Sequence, residues 1–454
     1  MCGIAGVIHK EGLDYYTNIE QMNLVQKHRG PDDSGIVKLN GAIFGHTRLS
    51  IVDINFGHQP MTCNDKNISI TFNGEIYGYK DLKDTLDYSF TTQSDTEVIL
   101  ALYKKYGNEM FSKLKGMFAF GIWNAKNKSL LLGRDRFGEK PLYYAFGRNG
   151  ELIFASEIKA IIASNLVKPR VSKKVLGHYL QYLYIDPLET IYENIHTVEP
   201  GCFLELTNGE VNIQRYYNYP TTQNISIDDA ADMFKDKFET SVENQLIADV
   251  DVGAFLSGGL DSSTIVAVAK KYKTDLKTFS FGFEGSKSEL PYARELAIKY
   301  NTDHYELFAK DLDVSQMLLK MTEVYDEPFA DSSNIPTYLI SKLAREHSKV
   351  ILTGDGADEL LGGYGWWYDP LLGVGKPVNY LKEMTIRVLA KSFFKSYQSK
   401  ANRMRSGRRY DSVMNAHINR HSNFNNYEVG DLLGINYDKD RSFKFEEENT
   451  INDA

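Results

Sequence analysis

The sequence is short of cysteine. Cys2, Cys63 and Cys202 are the only three in 454 residues, an odd number without metal-ligand spacing, which argues against a disulfide framework and a zinc site. No apolar run approaches the roughly 18 residues that a membrane span needs. The N-terminal stretch Ile4–Ile8 runs straight into His9, Lys10 and Glu11, too little apolar length for a signal peptide. A basic excess is missing as well: the net charge is -8, the wrong sign for a general nucleic-acid binder. These absences predict a cytoplasmic protein with neither membrane nor nucleic acid as partner. The hydrophobic fraction of 42% and charged fraction of 25% then place the chain among soluble globular proteins. Its length suits about three domains of roughly 150 residues, or two larger ones.

The two halves differ in pattern. Before residue 215, short apolar or alternating runs read as strands: Gly3–Ile8, Ala42–Phe44, Ile68–Phe72, Met117–Trp123, Ser129–Leu132, Leu142–Phe146 and Leu152–Ala155. Helical periods at Ile19–Lys27, Tyr79–Leu86 and Thr96–Tyr106 interrupt them, which suggests an α+β domain. Tyr216–Asn224 carries no apolar period and reads as a linker. Beyond it, helices near Asp228–Gln245, Pro291–Tyr300 and Pro336–His347 alternate with strands near Asp251–Leu256, Leu276–Phe283 and Lys349–Leu352. That alternation predicts a parallel α/β sheet.

Two stretches of the second half carry chemistry. Asp251–Leu256 is apolar enough for a buried strand, Ser257, Gly258 and Gly259 turn the chain, and Asp261, Ser262 and Ser263 open a helix. Unpaired backbone N–H groups and a positive helix end then converge on one spot, suited to a pyrophosphate. Asp261 sits where a carboxylate can hold a magnesium ion on the phosphates. The stretch lacks both the Gly-Lys-Ser ending of a Walker A loop and the GxGxxG of a dinucleotide fold. The second stretch, Thr353-Gly354-Asp355-Gly356-Ala357-Asp358-Glu359, leaves the last strand, where such sheets bind ligands. Its three acids repel one another unless a cation or ligand amine lies among them.

Ser257–Ser263 resembles the pyrophosphate loop of the ATP pyrophosphatase superfamily, in the form found in the asparagine synthetase family. Thr353–Glu359 is similar to a second element of that family, with Thr353 in place of the usual serine. The resemblance implies that Leu256, Ser257, Gly258, Gly259, Asp261, Ser262, Phe281, Thr353 and Gly354 bind ATP. It implies further that Asp261 and Asp358 hold Mg, and that Asp355 serves formation of the acyl-adenylate. Asp326–Ser333 also looks like the family, without a sharper role.

A third constellation begins at Cys2. Removal of Met1 would leave a thiol beside its own α-amine, with ordinary pKa values of about 8.5 and about 8, so one residue supplies nucleophile and base. Cys2–Gly6 resembles the start of class II glutamine amidotransferases, of the N-terminal nucleophile fold. In family order follow His28–Asp32, Gly45–Ile51, Phe72–Tyr77, Ser94–Glu97 and Gly133–Gly138. Arg48 can grip the α-carboxylate of glutamine in two prongs, and Glu75 and Asp95 can hold its α-ammonium. Asn73 and Gly74 can stabilise the oxyanion of thioester formation, and the resemblance adds Leu49 and Ile51 to the glutamine site.

Taken together, the chain resembles a glutamine-hydrolysing asparagine synthetase: an αββα sandwich over 1–215 and an α/β ATP pyrophosphatase domain over 216–454. The implied reaction releases ammonia at Cys2 and adds it to a carboxylate activated by ATP, giving an amide, AMP and pyrophosphate. Aspartate is the expected acceptor. A uronic acid of a surface polysaccharide, or a glutamine- and nucleotide-binding protein that makes no amide, are the alternatives. The oligomeric state stays open, a homodimer among the options. After Tyr364 the pattern departs from the family, since the lysine-valine-aspartate-arginine stretch and the arginine-x-proline-phenylalanine-leucine-aspartate stretch are absent. The second domain is therefore expected to be incomplete, and acceptor recognition with it. Lys395–Tyr410 is basic and polar, and reads as a solvated segment.

Overall fold

Gly3–Ile8 (β1) is buried along its whole length, and that burial follows from its position inside a layered sandwich. A computed structural model describes residues 1–10, 12–221, 224–283, 288–309, 313–364, 424 and 426–435. By packing, the chain falls into two units. One takes in Met1–Arg170, Pro187–Asp326 and Ser333–Gly354; the other takes in Val171–Asp186, Glu327–Ser332 and the described residues from Asp355 onward.

The first unit opens with two six-stranded sheets. Its strands are β1, then Asp33–Leu39 (β2), Ala42–Arg48 (β3), Met61–Thr62 (β4), Ile68–Ile76 (β5), Gly116–Asn124 (β6), Ser129–Arg134 (β7), Tyr143–Phe146 (β8), Leu152–Ala155 (β9), His196–Thr197 (β10), Cys202–Thr207 (β11) and Glu210–Arg215 (β12). The sheet orders are β10-β8-β9-β1-β3-β2 and β12-β11-β7-β6-β5-β4, with antiparallel neighbours. Ile4, Phe44 and Phe154 of one sheet meet Ala119, Leu130, Leu132 and Leu204 of the other in a shared core.

Helices cover both outer faces. Tyr16–Val25 (α1) and Ile158–Ala163 (α4) pack on the sheet of β1, and Asp95–Tyr106 (α3) packs on the sheet of β5, while Tyr79–Asp84 (α2) lies against α3. The layers are α, β, β, α. Ser94 caps α3 by accepting from the Thr96 N–H, acids fill its first turn, and Lys104 and Lys105 its last, the arrangement that a helix dipole favours.

The same unit continues as Ile227–Gln245 (α5), Val252–Phe255 (β13), Leu260–Tyr272 (α6), Lys277–Phe283 (β14), Leu290–Tyr300 (α7), Asp303–Ala309 (β15), Val314–Val324 (α8), Asn334–Arg345 (α9) and Val350–Leu352 (β16). The four strands form a parallel sheet in the order β15-β14-β13-β16. Val252, Ala254, Leu256, Val266, Ala293 and Leu352 are among its core. Among the described residues no helix is long and apolar enough to cross a membrane.

In the second unit, the helix Lys173–Tyr182 packs on the helix Asn426–Leu433, and Ala330 N–H donates to the Leu183 carbonyl at 3.0 Å. The basic stretch Lys395–Tyr410 lies outside the described residues.

Candidate active sites

One pocket gathers the glutamine-site residues singled out in the sequence. Cys2, Arg48, Leu49, Ile51, Asn73, Gly74, Glu75 and Asp95 all line it, together with Met1, Gln59, Met117 and Lys140. β1 delivers Cys2 at its start, β3 ends on Arg48, β5 carries Asn73, Gly74 and Glu75, and Asp95 opens α3. The site is thus a place where two sheets and one helix start converge.

The Cys2 thiol receives the Leu49 N–H at 3.4 Å. Burial pushes that thiol up, while the chain's amino terminus, the Leu49 bond and Arg48 pull it down. The α-amine, carried by Met1 in this structure, is lowered to about 5, chiefly by burial, with Arg29 and Lys140 adding to the effect. Burial and these two cations thus favour the neutral form of the Met1 amine, the form that can accept a proton.

Asn73 is fully buried, and neither its amide nitrogen nor its amide oxygen has a hydrogen-bond partner. An orphaned buried amide is costly unless a ligand answers it. Gly74 is required by space: a Cβ there would lie 2.2 Å from the Met117 carbonyl oxygen on the paired strand. That close approach lets β5 run on so that Glu75 also reaches the pocket.

Glu75 is raised to about 7, by burial first and by the charge of Asp95 next. Asp95 is raised to about 6 by burial, against the bond that it accepts from Ile76 N–H at 3.0 Å. The buried Asp95 and the half-buried Glu75, both elevated, are poised to meet a cation. Arg48 donates to the carbonyls of Ile54, Val52 and Asp53 at 3.0, 3.1 and 2.8 Å. Guanidinium has five N–H donors, so the loop carbonyls orient it and leave donors for an anion. Gly57 makes room, since a Cβ there would sit 2.5 Å from the Arg48 Nη2.

Gln59 and Lys140 are among the pocket residues that escaped the sequence reading. Gln59 accepts from Phe72 N–H at 2.7 Å and donates to Thr96 at 3.3 Å, which ties β5 to α3. Lys140 is buried, with no hydrogen bond or ion pair to its ammonium among the described residues, and burial lowers it against the pull of Glu139 and Glu75. It stands two residues past the Gly133–Gly138 string, and that string itself is structural. Asp135 accepts four backbone N–H groups, from Phe118, Phe137, Glu139 and Lys140.

The second group of residues lies at the C-terminal ends of β13 and β16. Ser257 N–H donates to the Ser262 hydroxyl at 3.1 Å, and Gly259 N–H to the Ser257 hydroxyl at 3.2 Å, so the loop folds on its own serines. Gly258 has φ +87°, and a Cβ there would come within 2.7 Å of Tyr292. Leu256 N–H pairs with Phe279, two residues before Phe281 on β14. A Cβ on Gly354 would be 3.1 Å from that of Asp261 and 3.2 Å from Ser262 N. Gly354, which follows Thr353, therefore meets the start of α6. Asp355 and Asp358 belong to the second unit, where a Cβ on Gly363 would strike the Asp358 Oδ1 and Tyr364 hydroxyl donates to Glu359 at 3.2 Å. Among the described residues no group of three or more potential ligands forms a metal cluster. Asp261 at a helix start fits magnesium only in the manner of phosphate-bound sites, where one or two carboxylates suffice and phosphates supply the rest.

A family model for the glutamine amidotransferase domain matches residues 1–217, and one for asparagine synthase matches residues 233–442. A putative glutamine-hydrolysing asparagine synthetase of Methanocaldococcus jannaschii is 39% identical over 391 residues, 80% of this chain and 76% of that protein. The chain belongs to the glutamine-hydrolysing asparagine synthetase family. Asparagine synthetase 1 of Bacillus subtilis is 40% identical over 383 residues, 82% of this chain and 60% of that protein. Asparagine synthetase B of Escherichia coli is 33% identical over 393 residues, 81% of this chain and 65% of its own length. This family member thus spans about three fifths of the length of the first of these Bacillus and Escherichia relatives.

Proposed function

We propose that the chain hydrolyses glutamine at Cys2 and uses the ammonia, with ATP, to convert aspartate into asparagine. The observation that carries the first step is the pocket in which the half-buried Cys2 thiol, an orphaned buried amide, an arginine and two elevated carboxyls converge. With Met1 removed, the Cys2 amine takes the thiol proton and the sulfur attacks the side-chain carbonyl carbon of glutamine. Asn73 and the Gly74 N–H hold the oxyanion. The carbon–nitrogen bond breaks as the amine returns its proton to the leaving ammonia, and water then releases glutamate from the thioester. Arg48, Leu49 and Ile51 hold the α-carboxylate, and Glu75 and Asp95 the α-ammonium.

At the second site, Ser257, Gly258, Gly259 and Ser262 cradle the phosphates of ATP, and Leu256, Phe281, Thr353 and Gly354 enclose the nucleotide. Asp261 and Asp358 would hold magnesium, which neutralises phosphate charge when bound. Asp355 serves the step that joins the aspartate β-carboxylate to the α-phosphorus and expels pyrophosphate. Ammonia is mostly ammonium in neutral water, so joining the two reactions in one chain keeps the nucleophile from protonation. The domain boundary that fits this division lies at residues 215–216. Incubation with glutamine, ATP, magnesium and aspartate should give glutamate, AMP, pyrophosphate and asparagine in step. Glutamate release with no aspartate-dependent AMP, pyrophosphate or asparagine would sink the aspartate assignment, and a uronic acid would be tried next.

A further inference from the structure

Away from the pocket wall, the Cys2 carbonyl accepts from the Arg29 Nε at 2.9 Å. Arg29 Nη1 in turn meets Glu157 Oε1 at 3.0 Å, an oxygen that also faces His28 Nε2 at 3.0 Å. Glu157 Oε2 is buried without a hydrogen-bond partner, and the Lys159 Nζ lies 3.7 Å from it. Lys159 then leaves the sandwich. Its Nζ pairs with Asp326 Oδ1 at 3.1 Å and donates to the Glu323 carbonyl at 2.8 Å. Its backbone N–H, in the first turn of α4, donates to Asp326 Oδ2 at 3.1 Å. The side chains of Arg29, Glu157 and Asp326 are 9%, 11% and 12% exposed, so water does little to replace a lost link.

Asp326 opens the Asp326–Ser333 string, and it reaches α4 across a separation of 167 residues. We propose that Asp326 and Lys159 are positioning residues for the Cys2 nucleophile, acting through Glu157 and Arg29 on the Cys2 carbonyl. The inference rests on the glutaminase reading of the pocket. Cys2 lies one residue outside β1, so the sheet ladder does not fix its carbonyl, and Arg29 does. Burial alone would raise Glu157, yet His28 and Arg29 hold it below its ordinary range. Burial likewise raises Asp326, and Lys159 opposes it. Each charge therefore depends on its neighbour, and removing an end member lets the rest relax toward Cys2.

The test uses the full chain with glutamate release as the readout. Lys159→Met should lower glutaminase kcat about 10-fold, a small misplacement of the nucleophile being enough. KM should stay within about 2-fold, because Arg48, Glu75 and Asp95 are untouched. Asp326→Asn should do the same, and the double variant should be no worse than either alone, as members of one network are not additive. Lys159→Arg should restore most of kcat. An unchanged kcat in Lys159→Met, or additive losses in the double variant, overturns the proposal. If Lys159→Met fails to fold, Asp326→Glu keeps the charge while altering reach. A changed kcat at unchanged melting temperature then supports the proposal, and an unchanged kcat overturns it. A parent protein that releases no glutamate, or a Cys2→Ala variant that still does, defeats the glutaminase reading instead.

Discussion

At the residue scale, the roles proposed for the Cys2 pocket separate reaction from recognition. Cys2→Ala should reduce glutamate release to background while calorimetry still detects glutamine binding, since Arg48, Glu75 and Asp95 remain. A tag retained ahead of Cys2 should be as damaging as the substitution, because it removes the free amine. Glu75 and Asp95 carry a pH signature. A protonated pair cannot balance an ammonium, so glutamine KM should fall as pH rises through about 6 and about 7, where Asp95 and Glu75 lose their protons. The linkage has a second face. Between their ordinary and raised values the folded chain binds more protons than the unfolded one, so the substrate-free protein loses stability as pH rises through that window. Glutamine should therefore raise the melting temperature more at pH 8 than at pH 6. An equal rise at both would mean that neither carboxyl faces the substrate ammonium.

At the element scale, the loop between β13 and α6 is predicted to act on one activity only. Asp261→Ala should abolish pyrophosphate release and leave glutamate release intact. Gly258→Ala must force a side chain into φ +87° against Tyr292, and should cost about 1–3 kcal/mol of stability, read by denaturant titration. Much of this architecture was legible. β1, β5, β6, β13 and β14 are apolar runs between clear breakers, and the structure has each within a few residues of its expected span. The strands that were not read differ in cause. β4 and β10 are two residues long, too short to carry a pattern, while β12 alternates Val211 and Ile213 with polar residues but is exposed along its length, and β2 is at best half-buried. Of the motif residues, Cys2, Arg48, Leu49, Ile51, Asn73, Gly74, Glu75 and Asp95 line one pocket, whereas Gln59 and Lys140 have no local pattern, because pairings of distant segments bring them there. Asp326 was visible as part of a string, but its partner Lys159 was not.

At the scale of the whole molecule, the sandwich and the parallel sheet of the first unit grip each other at the loop that follows β3. Asp249, just ahead of β13, accepts from Asp53 N–H at 2.7 Å and donates its own N–H to the Ile51 carbonyl at 3.0 Å. Lys349, just ahead of β16, meets Asp32 at 2.7 Å, and Asp32 accepts from Ser50 N–H at 2.9 Å. Both clasp the loop whose carbonyls orient Arg48. Asp249→Ala should therefore raise glutamine KM several-fold, on the order of one lost hydrogen bond to a charged group, with kcat little changed. A KM equal to that of the parent chain would place the control of Arg48 wholly inside the sandwich.

Those clasps bear on how such a protein can be rebuilt. Asp32, Asp53 and Lys159 each have a partner beyond the linker, in Lys349, Asp249 and Asp326. A chimaera that grafts this head onto an unrelated body inherits half of every pair. The graft point alone, near residue 215, is then a poor guide to compatibility. A transplanted head should work only where the recipient brings an acid for Lys159, a base for Asp32 and an acceptor for the Asp53 amide, and those three positions are the ones to carry over first.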